Sequence, residues 1–303
     1  MKQIRPQTKK RVFVVNDQAH LNTRYRKSFI ELASSLGFNV KTIGLFDSRA
    51  GLLRAILDIV LGGYDIIVSS NLRSNVVVLL LSNVPTLIIL NGLGRLRVSG
   101  FFRGIILFFM SRRKTTVFAV QNYADFRYFQ RYCKAAQLAW VPGSGGVQRQ
   151  IAEVGATIVQ RDEKIKYIVP SLLELYNSCP SIGRLNVVGC SDQSALDRLL
   201  VGVDFTNLGY VVQDDIFKSG RFFLQPSGYG EGFPHSLADA IVSGMPILID
   251  NREYLRYGLS RIGSSKQAIC KRWSSAIVSA ETKERLSVEK INSTLISLLQ
   301  TIQ

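Results

Sequence analysis

Short apolar runs alternate with helical stretches along the chain. Residues 12–15, 40–43, 66–69, 86–90 and 117–120 read as strands, and a second series follows at 156–159, 185–188, 205–208, 222–224 and 247–249. Between the first two strands, residues 25–36 repeat apolar side chains at Phe29, Leu32, Ala33 and Leu36 and stop at Gly37, which predicts a helix with a glycine C-cap. Residues 76–90 are apolar but broken by Ser82, Asn83 and Pro85, the pattern of a buried helix followed by a strand. This βαβ rhythm predicts parallel sheets with helices on their faces.

The rhythm runs twice. Between the two series lies VPGSGG (141–146), whose proline and glycines suit a hinge or a backbone turn close to a ligand. The expected organisation is a first domain over 1–147 and a second over 148–303. The final helical stretch, with apolar residues at Val288, Ile291, Leu295, Leu298 and Leu299, is expected to cross back to the first domain. Two doubly wound, Rossmann-like domains facing a cleft are the simplest architecture.

Composition narrows the partners. Lys and Arg outnumber Asp and Glu by 38 to 22, and a net charge of +16 favours an anionic partner. The bases form no compact nucleic-acid motif, so nucleic acid is not expected. Residues 95–114 mix Arg95, Arg97, Arg103, Arg112, Arg113 and Lys114 with Phe101, Phe102, Phe108 and Phe109. The apolar part is too short to span a bilayer and reads either as an interfacial helix on an anionic membrane surface or as a core helix. The basic N-terminus is followed by RVFVVN (11–16), too short for a signal-peptide core, so a cytoplasmic location is expected. Cys133, Cys179, Cys190 and Cys270 show no CxxC pairing and read as buried reduced thiols; with two histidines, no metal site and no cofactor is expected.

The most informative segment is QPSGYGEGFPHSLADAIVSGMPILI (225–249), which runs from a strand through a glycine-rich loop into a helix and onto another strand. Gly228, Gly230 and Gly232 let backbone approach a ligand. Pro234 suits the first helical turn and leaves the N–H groups of His235, Ser236 and Leu237 open at the positive helix end, where a diphosphate fits. Glu231 lies in the loop. Asp239 falls off the apolar face of Leu237, Ala238, Ile241 and Val242, in line with His235. The same pattern also suits an ordinary crossover helix with a solvated carboxylate.

PSGYGEGFPHSLADAIVSGMPILI resembles the signature of glycosyltransferase family 4, with Asp239 in place of the second glutamate of its E-x7-E pair. Other segments follow in the family's order: residues 23–37, NGLGR (91–95), QNYADFRYF (121–129) and VPGSGG. The resemblance implies a GT-B fold and retaining transfer of a sugar from a nucleotide-diphosphate donor, a UDP-sugar before others. It implies a lipid-linked saccharide acceptor in O-antigen or capsule synthesis, at the inner face of the cytoplasmic membrane. By resemblance, Glu231 contacts the transferred sugar, and Arg161 and Lys164 hold the leaving diphosphate. Gly232, Phe233, Pro234, His235, Ser236, Leu237 and Asp239, with Gly143 and Ser144, bind the donor, Asp239 at the ribose. Asn22, Arg26, Asn91 and Gly92 fall on the acceptor side. The short region after Ile249 and the Asp239 substitution suggest an alternative: a weak or inactive homologue that binds nucleotide sugar or a partner enzyme.

Overall fold

A computed structural model describes residues 9–93, 100–134, 136–146, 155–218, 220–228 and 232–302, without the side chains of 101–103, 213 and 214. The chain divides into two compact units. One takes the described residues of Met1–Gln121, Asp125–Val141 and Asn292–Gln303, and the other those of Asn122–Ala124 and Pro142–Ile291.

The elements of the first series are β1 (Arg11–Asn16), α1 (Ala19–Tyr25), α2 (Lys27–Ser35), β2 (Asn39–Gly44), α3 (Arg49–Leu61), β3 (Ile66–Ser70), α4 (Leu72–Leu81), β4 (Thr86–Leu90), α5 (Gly100–Arg112), β5 (Thr116–Val120), α6 (Tyr123–Tyr132) and β6 (Gln137–Trp140). The strands form one parallel sheet in the order β2-β1-β3-β4-β5-β6. Every residue of β3, β4 and β5 is buried, which is why these strands read as continuous apolar runs rather than alternating ones. The helix expected over 25–36 is α2, which begins two residues later, and a further short helix, α1, precedes it. Arg26 leaves helical geometry at φ −124° and ψ 0° between them, and its side chain is buried in the domain.

The second series comprises β7 (Ala156–Val159), α7 (Asp162–Ser178), β8 (Leu185–Val188), α8 (Gln193–Leu199), β9 (Phe205–Gly209), β10 (Phe222–Gln225), α9 (His235–Val242), β11 (Ile247–Asp250), α10 (Asn251–Tyr257), β12 (Ser265–Ala268), β13 (Trp273–Ile277), α11 (Ala280–Arg285) and α12 (Val288–Thr301). The sheet order is β12-β13-β11-β10-β7-β8-β9. β7 to β11 are parallel, whereas β13 runs antiparallel to both β11 and β12. Trp273 is fully buried, and its indole N–H donates to the Ser171 carbonyl at 3.0 Å, so the β12–β13 hairpin is locked onto the domain core.

Each sheet has a topological switch point. In the first, the chain passes from β1 to β2 on one side and continues from β3 on the other. In the second, β7 leads to β8 and β9 while the adjacent β10 leads to β11 the opposite way. Ligands of open α/β sheets bind outside the carboxyl ends of the strands at such points.

Candidate functional site

At the switch point of the second sheet, β10 ends in Gln225 and the glycine-rich loop begins. Gly228 has φ +141°, and a Cβ there would lie 2.0 Å from the Tyr167 carbonyl oxygen, so only glycine lets this loop close onto α7. Tyr229, Gly230 and Glu231 lie outside the described residues. The chain resumes at Gly232 and Phe233, with Pro234 at the N-cap of α9 (φ −67°, ψ 135°) rather than inside its first turn, and no side chain caps the helix. The first-turn N–H groups of an α-helix have no intrahelical acceptor. His235, Ser236 and Leu237 form the first turn of α9, at the positive end of the helix and beside the loop.

The VPGSGG segment packs directly on this helix. Ser144 offers its carbonyl oxygen to His235 Nδ1 at 3.1 Å, so that nitrogen carries the proton. Gly143 fits against the Phe233 backbone, where a Cβ would lie 2.9 Å from the Phe233 carbonyl oxygen. Gly145 is tighter: a Cβ would stand 2.3 Å from the Ala238 carbonyl. The Gly145 N–H donates to the Leu286 carbonyl at 2.9 Å, and the Gly146 N–H donates to Asp239 Oδ1 at 2.9 Å.

That last bond corrects an expectation. Asp239 does not stand off the buried face, since it is 3% exposed. Residues 237–241 of α9 are all buried, because the 142–146 segment covers the side that helical periodicity leaves polar. A buried carboxylate accepting a backbone N–H is a structural anchor as well as a candidate ligand contact.

Arg161 and Lys164 sit at the start of α7, next along the sheet from β10. Arg161 is the exposed N-cap residue, 4.0 Å from Glu163, and Lys164 is half-buried. The turn is held by Asp162. It accepts from the Ser191 hydroxyl at 2.7 Å and from the Ser191 and Asp192 backbone N–H groups; these bonds, the hydroxyl foremost, lower its pKa. Behind the turn, burial and then the Asp162 charge push the Cys190 thiol up to about 12. Cys133 and Cys190 are buried thiols as expected, whereas Cys179 and Cys270 are half-buried.

Sequence reasoning missed the cluster beneath the loop. Asp250 is fully buried and accepts from Ser227 Oγ at 2.7 Å, Ser171 Oγ at 2.9 Å, the Arg252 N–H at 2.9 Å and Arg272 Nε. Arg272 reaches Ser227 Oγ at 2.9 Å and Glu174 at 3.2 Å. Burial alone would raise the Asp250 pKa, but its hydrogen bonds outweigh burial and hold it below the usual range. The cluster fixes Ser227, the residue before Gly228. No local pattern announces it, because its members come from α7, the loop, the end of β11 and the β12–β13 turn.

In the first domain, Asn22 is buried and donates to the Ile43 carbonyl at 3.1 Å. Arg26 Nε donates to Ser70 Oγ at 3.0 Å, and its Nη2 reaches Asn91 Oδ1 at 3.4 Å. Gly92 follows with φ +127°, and the Leu93 N–H donates to Asp125 Oδ2 at 3.2 Å. The structure thus brings together the four residues expected on the acceptor side: Arg26, Asn91 and Gly92 meet near the carboxyl ends of β3 and β4, and the Arg26 N–H donates to the Asn22 carbonyl at 2.9 Å. It also joins the first residues of NGLGR, as far as they are described, to the aspartate of QNYADFRYF. Arg95, Arg97 and the remainder of 94–99 lie outside the described residues. Among the described residues, no three His, Cys, Asp or Glu side chains group as a metal site.

Two Rossmann-like domains, each with polar groups gathered at its switch point, define a fold of the GT-B type. No protein-family model matches the sequence, and no curated protein matches it. Solved structures match along almost the whole chain. HepE of Anabaena, in complex with UDP and glucose, aligns with a TM-score of 0.62 at 12% identity over 95% of this chain and 99% of that one. A glycosyltransferase from Rickettsia africae aligns with a TM-score of 0.57 at 11% identity over 98% and 99%. A putative UDP-N-acetylglucosamine 2-epimerase from Listeria monocytogenes aligns with a TM-score of 0.50 at 10% identity over 97% and 89%. At these identities the likeness is one of fold, a fold that serves more than one chemistry.

Proposed function

We propose that this chain is a retaining glycosyltransferase that moves a sugar from a nucleotide-diphosphate donor to a lipid-linked saccharide, in the assembly of a surface polysaccharide of O-antigen or capsule type. One observation carries the reading: the start of α9, which no side chain caps, follows β10, and the Arg161–Lys164 turn follows the neighbouring strand β7, on either side of one switch point. Helix amides and two cations suit a diphosphate that gains charge as it leaves the sugar. A UDP-sugar is favoured, in keeping with the UDP and glucose held by HepE.

In this mechanism the acceptor hydroxyl attacks the anomeric carbon on the face from which the diphosphate departs, the bond to the diphosphate oxygen breaks, and that oxygen takes the hydroxyl proton. Arg161, Lys164 and the amides of His235, Ser236 and Leu237 stabilise the leaving group, so no protein base is required. Glu231 is assigned to the transferred sugar. Asp239 holds the 142–146 segment against α9 and so keeps Gly143 and Ser144 beside the donor; a ribose contact by the same carboxylate would use its remaining acceptor capacity.

Docking to an anionic membrane surface is part of the proposal. On α5, Ile106 and Met110 are buried in the core while Phe108 is half exposed, with the Arg112 guanidinium 4.4 Å from its ring. Further support comes from α3, where Leu53, Leu57, Val60 and Leu61 are exposed in helical register beside Arg49 and Arg54. No described helix is long and apolar enough to cross a membrane.

A thermal-shift screen of the purified protein against UDP-, GDP- and dTDP-sugars, followed by release of the nucleoside diphosphate, tests the reading. A UDP-sugar is expected to stabilise the protein and to be consumed. Indifference to every nucleotide sugar would sink the proposal, whereas stabilisation without turnover would point to the inactive, sugar-binding alternative.

A further inference from the structure

The first domain holds an arrangement that donor chemistry does not use. Arg26 is 5% exposed, yet among the described residues no carboxylate pairs with it. Its partners are the neutral Ser70 and Asn91, and Nη1 has no hydrogen-bond partner among the described residues. Burial lowers its pKa to about 10, with no acidic neighbour to raise it again. An ion buried without a counter-charge destabilises a fold unless the compensating charge comes from elsewhere. Asp17, the carboxylate nearest along the chain to the end of β1, is instead held by the Ser74 N–H and hydroxyl.

Three further observations mark the place as a binding site. First, the asparagines form a directional chain. Arg26 donates to Asn91, Asn91 to Asn71, Asn71 to Asn16, Asn16 to Asn22, and Asn22 to the Ile43 carbonyl. Each amide nitrogen uses one hydrogen in the chain, and the half-buried Asn71 and Asn91 keep a second one to donate. Second, Asn71 has φ +70° and ψ 151°, the positive φ of no other non-glycine residue among those described. Such strain persists where the surroundings impose it, often at ligand sites. Third, Asn16, Ser70 and Asn71 stand at the carboxyl ends of β1 and β3, on either side of the switch point of this sheet.

We propose that Arg26, Asn71 and Asn91 form an oxyanion site, in which a phosphoryl or carboxyl group of the first domain's ligand pairs with Arg26 Nη1 and accepts the outward amide hydrogens of the two asparagines. As an oxyanion site it stands on this geometry. As the anchor for an anionic acceptor it rests on the glycosyltransferase reading.

Calorimetric titration of the full-length protein with inorganic pyrophosphate, without nucleotide, tests the site. Because the Arg161–Lys164 turn is a competing anion site, the titration is repeated in an Arg161→Ala/Lys164→Ala background. Binding that survives in this background and weakens about tenfold or more in Arg26→Met supports the proposal. Equal affinity in wild type and Arg26→Met overturns it, as does binding lost entirely with Arg161 and Lys164. Should Arg26→Met fail to fold, Arg26→Lys keeps the charge and loses the planar fork; it is expected to bind several-fold more weakly, and wild-type affinity in it overturns the site. Parallel titrations with acetate, inorganic phosphate and a detergent-solubilised prenyl diphosphate identify the source, the last binding tightest if the oxyanion belongs to a lipid. Pyrophosphate binding that stays intact in a protein unable to consume any nucleotide sugar would refute the transferase reading while leaving this site standing.

Discussion

The backbone N–H of Gly146 donates to Oδ1 of Asp239 across 2.9 Å. This bond joins the glycine-rich 142–146 segment to the middle of α9, and it makes Asp239 an internal support of the candidate donor site. Removing the carboxylate removes a hydrogen bond to a charged acceptor, which is worth about 1.5–3 kcal/mol. Asp239→Ala is therefore expected to lower the melting temperature as well as weaken donor binding. A variant with wild-type stability and wild-type donor KM would refute both roles.

Gly145 has no room for a side chain, since an added Cβ would lie 2.3 Å from the Ala238 carbonyl. Gly145→Ala must push the segment away from α9, at about 1–3 kcal/mol for overpacking of this kind. Lowered stability and lowered transfer should appear together. Unchanged denaturant midpoint would show that the segment does not pack as described.

Lys164 is assigned to charge that develops as the donor bond breaks. Lys164→Ala is expected to reduce kcat by about 10²-fold or more while leaving the circular dichroism spectrum intact. Glu231→Ala is expected to reduce transfer similarly. Wild-type-like rates in both variants would defeat the site assignment.

The Asp250–Arg272 pair predicts a pH dependence. The folded-state pKa of Asp250 is depressed, so its contribution is present above the unfolded value of about 3.9 and is lost as pH falls through the folded value. Arg272→Met strands the buried carboxylate and should cost about 3 kcal/mol at neutral pH. The gap between variant and wild type should narrow below about pH 4, where Asp250 is protonated in the unfolded chain. Urea melts at pH 7 and pH 3.5 measure it; a gap independent of pH would show that the pair carries no charge-dependent stability.

The exposed stripe on α3 predicts membrane binding. Leu53→Gln with Leu57→Gln removes apolar surface that is already solvated, so the melting temperature should hold while flotation with anionic vesicles falls. Equal flotation of the double variant would remove α3 from the membrane reading.

Much of the fold is legible in the chain. The strands expected at 86–90, 156–159 and 185–188 appear with those bounds, because strands covered on both faces are rich in apolar and β-branched residues, even with Asn186 inside β8. The β12–β13 hairpin escaped notice, since all four residues of β12 are exposed and carry no periodic signal. The start of α2 was misplaced because its apolar spacing continues backward to Tyr25, whereas Arg26 leaves helical geometry and contacts Ser70 and Asn91, distant in sequence. The glycine loop and the α9 N-terminus were readable because backbone approach and helix polarity are local properties. The burial of Asp239 was not, because the segment that covers it comes from 93 residues away.

By itself the sequence determined the βαβ order, the two-domain plan and the residue types gathered around the phosphate-suited helix start, all consequences of short-range periodicity and local backbone chemistry. Only the tertiary structure decided that Asp239 and Asp250 are buried anchors, and that Arg26 lies without a counter-charge at the switch point of the first sheet. Burial and charge balance are set by groups that long-range packing brings together, and no local pattern encodes that packing.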